Sequence, residues 1–287
     1  MNKRKLQRFK VRIHPLFWVV TIAAVWTGQF LEVITLFTLV VIHELGHIFA
    51  ALACGWRVRS MELLPFGGVA QVDESGSTNT KDEIIVALAG PFMNFLMILM
   101  ALIFQNTHFW DAKWCQFFIQ GNLLIASFNL LPIWPLDGGK IVQALLCSWY
   151  SFYRSVRLTI LWSILMILFL FFLSFFIPAK INLIVICVYL LMENRMAWKK
   201  IQYQFIRFLL FKEQKIKSKE PMTVCSIYLD RDEKVGEVVK LMKKGCYHYI
   251  HVIDRDRRVI AIYSEEELLS AFFIKPQQLV SVLNPIY

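Results

Sequence analysis

The stretch VITLFTLVVIHELGHIFAALA, residues 33–53, is apolar and, at about 20 residues, long enough to cross a membrane as a helix. It nevertheless contains three ionisable side chains. His43 and His47 are four residues apart and share one face of a helix, so both imidazoles can bind one zinc ion. Glu44 is adjacent and can accept a proton from metal-bound water. Ionisable groups are costly in hydrocarbon, so this pattern indicates a metal site, or else a polar cluster that faces a neighbouring helix.

The composition is that of a membrane protein. Of the 287 residues, 57% are hydrophobic and only 18% are charged. The net charge is +10, but Lys and Arg cluster beside apolar segments, as the positive-inside rule requires, so no nucleic-acid partner is predicted. The six cysteines are scattered and form no C-x-x-C pair, which indicates neither a disulfide framework nor a cysteine zinc site.

Apolar segments predict a polytopic α-helical membrane protein with about six transmembrane helices. The N-terminus is basic and then apolar, like a signal peptide, but no small-x-small cleavage site follows, so the first segment is predicted to be a retained span. The last segment is short and either continues to about Trp198 or is re-entrant. The segments are Leu16–Leu31, Val33–Ala53, Ile84–Phe104, Phe117–Ile133, Leu158–Ile177 and Ile181–Met192.

The distribution of basic residues predicts the orientation of these spans. Lys and Arg are concentrated before the first span and in the loops that follow the second and fourth spans, whereas the opposite loops carry only Lys113 and Lys180. Both termini are therefore predicted to be cytoplasmic. In that arrangement His43 and His47 lie in the cytoplasmic half of the second span.

The C-terminal third is predicted to differ from the membrane part, residues 1–197. Residues 198–220 form a basic linker with an apolar stripe, either a helix on an anionic membrane surface or a solvated linker helix. Residues 221–287 are predicted to be a small cytoplasmic α/β domain, in which His248 and His251 point to opposite faces of a strand and are structural. Its predicted elements are strands Thr223–Tyr228, Tyr249–Ile253 and Val259–Tyr263, a helix Lys234–Lys244, and a last helix that begins with a capping box of Ser264 and Glu267.

A catalytic zinc usually has three protein ligands, and Asp137 is one candidate for the third. It is the only acidic residue from Ala112 to Met192, and the predicted topology brings it to the same side as the two histidines. Neighbouring prolines and glycines indicate a broken span that lines a cavity. Alternatively, Asp137 only caps the helix that follows. Competing acidic residues lie in the loop after the second span: Glu62, Asp73 and Glu74.

Three motifs together carry a family resemblance. His43–His47 in one span, Gly90–Asn94 at the next, and Asn129 through Pro132 and Pro135 to Asp137–Gly139 in a later one resemble the site-2 protease family of intramembrane zinc metalloproteases. The resemblance covers about residues 13–154. It implies that the chain is a zinc metalloendopeptidase whose ligands are His43, His47 and Asp137, with Glu44 as the general base. It also implies that Asn129 orients the substrate backbone or stabilises the oxyanion.

Residues 221–287 resemble a single CBS domain. Such domains usually work in pairs and often bind adenine nucleotides, so the resemblance implies that ATP would bind only if the chain forms a homo-oligomer through this domain. The whole chain is similar to the sporulation branch of the protease family. That similarity implies cleavage of a membrane-associated substrate near the cytoplasmic face, the pro-sigma-K factor. It further implies inhibitory membrane proteins as partners, and a location in the membrane around the forespore.

Three further interpretations remain open from the residues alone. Apolar–polar alternation over Leu64–Asp73 predicts either a hairpin whose edge pairs with an extended substrate or an ordinary loop. The chain could instead be a catalytically silent membrane scaffold that senses nucleotide. It could also be a metal transporter, although that function would need ionisable groups along several spans.

Overall fold

Most of the described elements are helices, and the chain forms two compact units. A computed structural model describes residues 10–13, 25–26, 28–64, 67–73, 79–106, 110–176, 180–217, 222–230, 232–254 and 258–280. Most of the predicted span Leu16–Leu31 lies outside the described residues. The first unit contains most of the chain up to Ile141, and the second contains the remainder together with residues 76–80 and 133–135.

The first unit is built on helices α1 (Phe30–Ala53), α2 (Thr80–Asn106), α3 (Ala112–Asn129) and the start of α4 (Asp137–Trp149). Acidic residues in the first turn of α2 complement the helix dipole. Asp111 caps α3, because its side chain accepts a hydrogen bond from the Lys113 backbone N–H at 3.1 Å.

A three-stranded sheet accompanies these helices. Strand β2 (Arg57–Leu64) pairs in parallel with β1 (Lys10–Ile13) and antiparallel with β3 (Gly67–Asp73). Leu64 lies opposite Gly67, which confirms the predicted hairpin. Among the described strands, β3 lies at one edge of the sheet.

The second unit begins with the packed helices α5 (Phe152–Ser174) and α6 (Lys180–Lys217). Ser155, Thr159 and Ser163 of α5 are buried, whereas Leu161 and Leu165 on the same helix are about half exposed. Polar residues inside and apolar residues outside are typical of a helix that lies in lipid.

Four of the described helices are long and apolar enough to cross a membrane: α1, α2, α5 and α6. Helix α3, predicted as the span Phe117–Ile133, has only 18 residues. Gln116, Gln120 and Asn122 lower its apolar character. The described residues therefore show four of the six predicted spans.

Helix α6 extends well beyond the predicted end of the last apolar segment. It runs without interruption to Lys217, and Ile201, Phe205, Phe208 and Leu209 are all at least nine-tenths buried. Phe205, Phe208 and Leu209 belong to the hydrophobic core of the C-terminal region. The apolar stripe predicted over residues 198–220 is thus covered by protein.

The C-terminal region is a small α/β arrangement. Its elements are β4 (Thr223–Asp230), α7 (Val235–Val239), β5 (Cys246–Ile253), β6 (Val259–Ser264) and α8 (Glu265–Ile274). Strand β5 is central, parallel to β4 and antiparallel to β6. All three predicted strands are present.

The two predicted helices of this region differ in outcome. The capping box is confirmed, because Ser264 Oγ accepts from Glu267 N at 3.2 Å and Ser264 N donates to Glu267 Oε2 at 2.9 Å. Helix α7 is shorter than the predicted Lys234–Lys244. After Val239 the backbone forms tighter turn bonds, such as Leu241 N to Val238 O, and Lys243 N donates to His248 Nε2 instead of to a helical carbonyl.

The proline-rich segment before α4 has the predicted break in helical structure. Trp134 N donates to Ser163 Oγ at 3.0 Å, and Trp134 O accepts from Asn194 Nδ2 at 2.7 Å. These bonds satisfy the backbone N–H and carbonyl oxygen of Trp134, which Pro135 excludes from a helix. A broken segment is tolerated at membrane depth when protein groups provide such partners.

Candidate metal centre

Three donor atoms converge inside the first unit. His43 and His47 lie one turn apart on α1, are 2% and 7% exposed, and have their Nε2 atoms 3.2 Å from each other. Asp137, in the first turn of α4, brings its Oδ2 to 3.2 Å from His43 Nε2 and 3.0 Å from His47 Nε2. The acidic residue singled out from the sequence thus meets both histidines.

The spacing of these donors fits zinc. Bonds of about 2.0–2.1 Å to a tetrahedral zinc place neighbouring ligand atoms about 3.3 Å apart. The observed separations of 3.0–3.2 Å are close to that value. Two imidazoles and one carboxylate form a usual catalytic donor set, which leaves one position for water. Glu44 is adjacent, 6% exposed, and has a carboxylate oxygen within 4.8 Å of the histidine donors.

Hydrogen bonds on the far side of each ring direct the Nε2 atoms toward the centre. His47 Nδ1 lies 2.7 Å from the backbone carbonyl oxygen of Val86, and His43 Nδ1 lies 2.5 Å from Asn94 Oδ1. Because a carbonyl oxygen only accepts, Nδ1 carries the proton and Nε2 presents a lone pair. Lys140 Nζ donates to Asp137 Oδ1 at 2.9 Å, so Oδ2 faces the histidines.

Two glycines keep the centre compact. A Cβ atom on Gly90 would lie 2.3 Å from His47 Nε2 and 2.6 Å from His43 Nε2, so only glycine leaves the donors accessible. A Cβ atom on Gly138 would lie 2.2 Å from the Leu130 carbonyl oxygen. Both positions belong to the sequence motifs.

Asn129 and the described competing acidic residues lie on other elements than the two histidines and Asp137. Asn129 ends α3, is partly exposed, and donates through Nδ2 to the Ile125 carbonyl oxygen at 3.0 Å. Glu62 lies on β2 and Asp73 on β3, whereas Glu74 is outside the described residues.

Sequence reasoning missed the supporting roles of Asn94, Asn122 and Lys140. The signal that the sequence offered was an amide side chain within an apolar segment, at Asn94 and at Asn122, and the structure shows both to be fully buried.

A second group of potential ligands lies in the C-terminal region. Ligand atoms of Cys225, Cys246 and His248 lie within 4.8 Å of one another. Burial raises the pKa of the Cys246 thiol to about 11, with a hydrogen bond to Cys225 as the next cause. Because metals bind the thiolate, such a thiol is a poor ligand at neutral pH.

At this second group, Lys212 already supplies the positive charge that a metal ion would bring. Lys212 Nζ forms an ion pair with Glu265 Oε1 at 2.8 Å and lies 2.9 Å from His248 Nδ1. Both ring nitrogens are occupied, since Nδ1 also lies 3.0 Å from Glu265 Oε2 and Nε2 accepts from Lys243 N. His248 is therefore structural, as its strand position predicted.

Comparison with known proteins places this geometry in a family. The model of peptidase family M50 matches residues 31–111 and 105–173, and that of the CBS domain matches residues 218–274. Stage IV sporulation protein FB of Bacillus subtilis is 32% identical over 278 residues, or 95% of this chain and 94% of that protein. A zinc metalloprotease of Methanocaldococcus jannaschii is 30% identical over 79% of this chain and 65% of its own length.

A solved structure agrees with these matches. The site-2 protease from Methanocaldococcus jannaschii superposes with a TM-score of 0.53 at 26% identity, over 65% of this chain and 89% of that one. Because the similarity to the sporulation protein spans nearly all of both chains, the protein belongs to peptidase family M50 and is an intramembrane zinc metalloprotease of the site-2 type.

Proposed function

We propose that His43, His47 and Asp137 hold the catalytic zinc and that Glu44 is the general base. The convergence of the three donor atoms within 3.0–3.2 Å supports this assignment most strongly. Glu44 is buried, with a carboxylate oxygen within 4.8 Å of a ring nitrogen of each histidine, and it would accept the proton of a zinc-bound water.

Peptide hydrolysis follows from these positions. When bound, zinc lowers the pKa of water and polarises the scissile carbonyl. Glu44 accepts a proton from the attacking water as the new C–O bond forms, and returns it to the departing amine as the C–N bond breaks. We propose that Asn129, through its amide, orients the substrate backbone or stabilises the oxyanion.

The proposed substrate is a membrane-associated pro-sigma factor, pro-sigma-K, cut near the cytoplasmic face during sporulation. The similarity to a stage IV sporulation protein over nearly the whole chain supports this proposal. Among the described strands β3 lies at an edge of its sheet, where an extended substrate can add a strand. The same similarity supports inhibitory membrane partners and a location in the membrane around the forespore.

The proposed topology has six spans, cytoplasmic termini, and a membrane protease part over residues 1–197. Residues 198–220 would connect it to a CBS-like domain over residues 221–287, where ATP would bind if two copies associate. The CBS family match over residues 218–274 and the βαββα order of the elements support the domain assignment.

Zinc content of the full-length protein in detergent tests the site. We expect about one zinc per chain in the wild type, a loss in His43→Ala and Asp137→Asn, and retention in Glu44→Gln. Cleavage of membrane-tethered pro-sigma factor should fall about 10²–10⁴-fold in Glu44→Gln.

The matched control is Glu62→Gln, which removes a competing carboxylate and should keep both zinc and activity. Zinc that survives Asp137→Asn but is lost in Glu62→Gln would overturn the ligand assignment. Full cleavage by Glu44→Gln would overturn the base, and metal uptake into vesicles by that variant would favour a transporter.

A further inference from the structure

Two buried asparagines connect the metal centre to a third helix. Asn94 on α2 and Asn122 on α3 are both 0% exposed. Asn94 Nδ2 donates to Asn122 Oδ1 at 3.0 Å, and Asn122 Nδ2 donates to the Phe118 backbone carbonyl oxygen at 2.9 Å. With the bond between His43 Nδ1 and Asn94 Oδ1, these groups form a continuous relay across α1, α2 and α3.

The Phe118 carbonyl fixes the direction of every bond in this relay. A carbonyl oxygen only accepts, so Asn122 must present its NH₂ group to Phe118 and its oxygen to Asn94. Asn94 must then present its NH₂ group to Asn122 and its oxygen to His43. That oxygen accepts only if His43 carries its proton on Nδ1, which leaves the Nε2 lone pair facing Asp137 and His47.

We infer that Asn122 is a positioning residue which, through Asn94, holds His43 in the tautomer and ring orientation that bind zinc. The inference rests on the proposed function, since it assumes that His43 is a ligand. The described hydrogen bonds of Asn122 are those to Asn94 and to the Phe118 carbonyl oxygen. Partners of this kind typically contribute about 10–100-fold to metal affinity.

Zinc affinity in full-length protein, measured by competition with a chelator, tests the relay. Asn122→Leu keeps the size of the side chain but removes both hydrogen bonds, and we expect affinity to fall about 10–100-fold. Asn122→Asp is the conservative control, because a neutral carboxyl group donates to Phe118 and accepts from Asn94. It should restore most of the affinity.

A double-mutant cycle separates positioning from general loss of folding. If Asn122 acts only through Asn94, then Asn94→Leu and Asn94→Leu/Asn122→Leu will bind zinc equally weakly. Thermal unfolding of the zinc-free proteins measures any structural loss independently. The visible spectrum of the Co²⁺-substituted protein should change in Asn122→Leu and return toward that of the wild type in Asn122→Asp.

The outcomes distinguish the two hypotheses. Wild-type protein that binds no zinc overturns the proposed function. Normal zinc binding in the wild type with the same affinity and Co²⁺ spectrum in Asn122→Leu overturns the relay alone. Losses that multiply in the double variant would show that Asn122 acts independently of Asn94, and would also overturn it.

Discussion

At the scale of single residues, the space beside the two histidines depends on one missing methyl group. Gly90 lies against both Nε2 atoms, where a Cβ atom would be closer than any nonbonded contact permits. The adjacent turn of α2 also carries Val86, whose carbonyl oxygen is bonded to His47. Helix α2 therefore both orients a candidate ligand and leaves room for a metal ion.

Gly90→Ala should consequently remove zinc while α2 remains helical, since alanine favours a helix. We expect zinc affinity to fall by more than about tenfold, the lower bound for loss of a single supporting contact. Zinc per chain in the purified protein measures the effect. Gly121→Ala is the control, because its Cβ would meet only the flexible ends of Leu36 and Leu39 at 3.0 Å. Equal zinc content in both variants would contradict the prediction.

The candidate ligands could be predicted from sequence, but their supporting residues could not. The i, i+4 spacing places His43 and His47 together on any helix, and Asp137 stood out as a lone acid in a long apolar region. Asn122 acts through Asn94 on another helix, whereas Lys140 lies only three residues from Asp137, where a basic residue of the predicted loop has no pattern that marks it as a partner. Asn122 bonds to Asn94 only because α3 packs against α2, and no local sequence pattern encodes that tertiary contact.

At the scale of secondary-structure elements, one buried charge network joins α6, β5 and α8. Lys212, His248 and Glu265 are 4%, 1% and 0% exposed. Glu265 Oε2 accepts from the His248 backbone N–H at 2.7 Å, in addition to its contact with the ring. Burial is the main cause that lowers the pKa of His248, and the nearby Lys212 and Lys243 charges add to it, whereas Glu265 opposes it.

This network predicts a pH dependence of stability. Because the folded-state pKa of His248 is lowered, the unfolded chain binds more protons below its ordinary pKa of about 6.5. The free energy of unfolding should therefore be fully retained above about pH 6.5 and fall as the pH drops toward the folded-state pKa. The slope from His248 alone approaches about 1.4 kcal/mol per pH unit. Unfolding of the full-length protein between about pH 7.5 and 5, a window around the ordinary pKa of about 6.5, measures this slope.

His248→Gln should flatten that slope. His251→Gln is the matched control, because His251 lies on the opposite face of β5 and stacks on Tyr228 at 5.0 Å. A slope that persists in His248→Gln would assign the pH dependence to other groups.

Elements with a strong local signal were predicted closely. The capping box located the start of α8, and alternating apolar residues located the three C-terminal strands. Helix α7 was predicted too long because its apolar pattern continues, whereas the Lys243 N–H donates to His248 Nε2 and the Lys243 carbonyl oxygen accepts from Lys212 Nζ. Lys212 is distant in sequence and His248 lies on the following strand, so neither contact belongs to a helical pattern.

At the scale of the whole molecule, the last membrane helix and the C-terminal region share a core. Phe208 stacks on Phe152 with centroids 4.4 Å apart, and Leu209 is completely buried. Composition predicted a membrane part and a mixed α/β part correctly in outline. It could not reveal that the apolar stripe of the basic segment packs on protein, because a stripe has the same pattern whether it faces lipid or a domain.

Adjacent leucines test this shared core. Leu209→Ala should lower the free energy of unfolding by about 2–5 kcal/mol, since it creates a cavity. Leu210→Ala, at a position 46% exposed, should change it by less than about 1 kcal/mol. Thermal unfolding of both full-length variants in detergent provides the comparison. Equal destabilisation would show that the stripe is not part of the core.

The uninterrupted course of α6 has a mechanical consequence. Its 38 residues give a length of about 57 Å, roughly 27 Å more than the hydrocarbon thickness of a bilayer. No glycine or proline occurs from Ile181 to Lys217 to provide a hinge. We therefore expect this helix to be stiff, with its far end held in the C-terminal core. We expect a rotation of that core to be transmitted along the helix to its bilayer-embedded end.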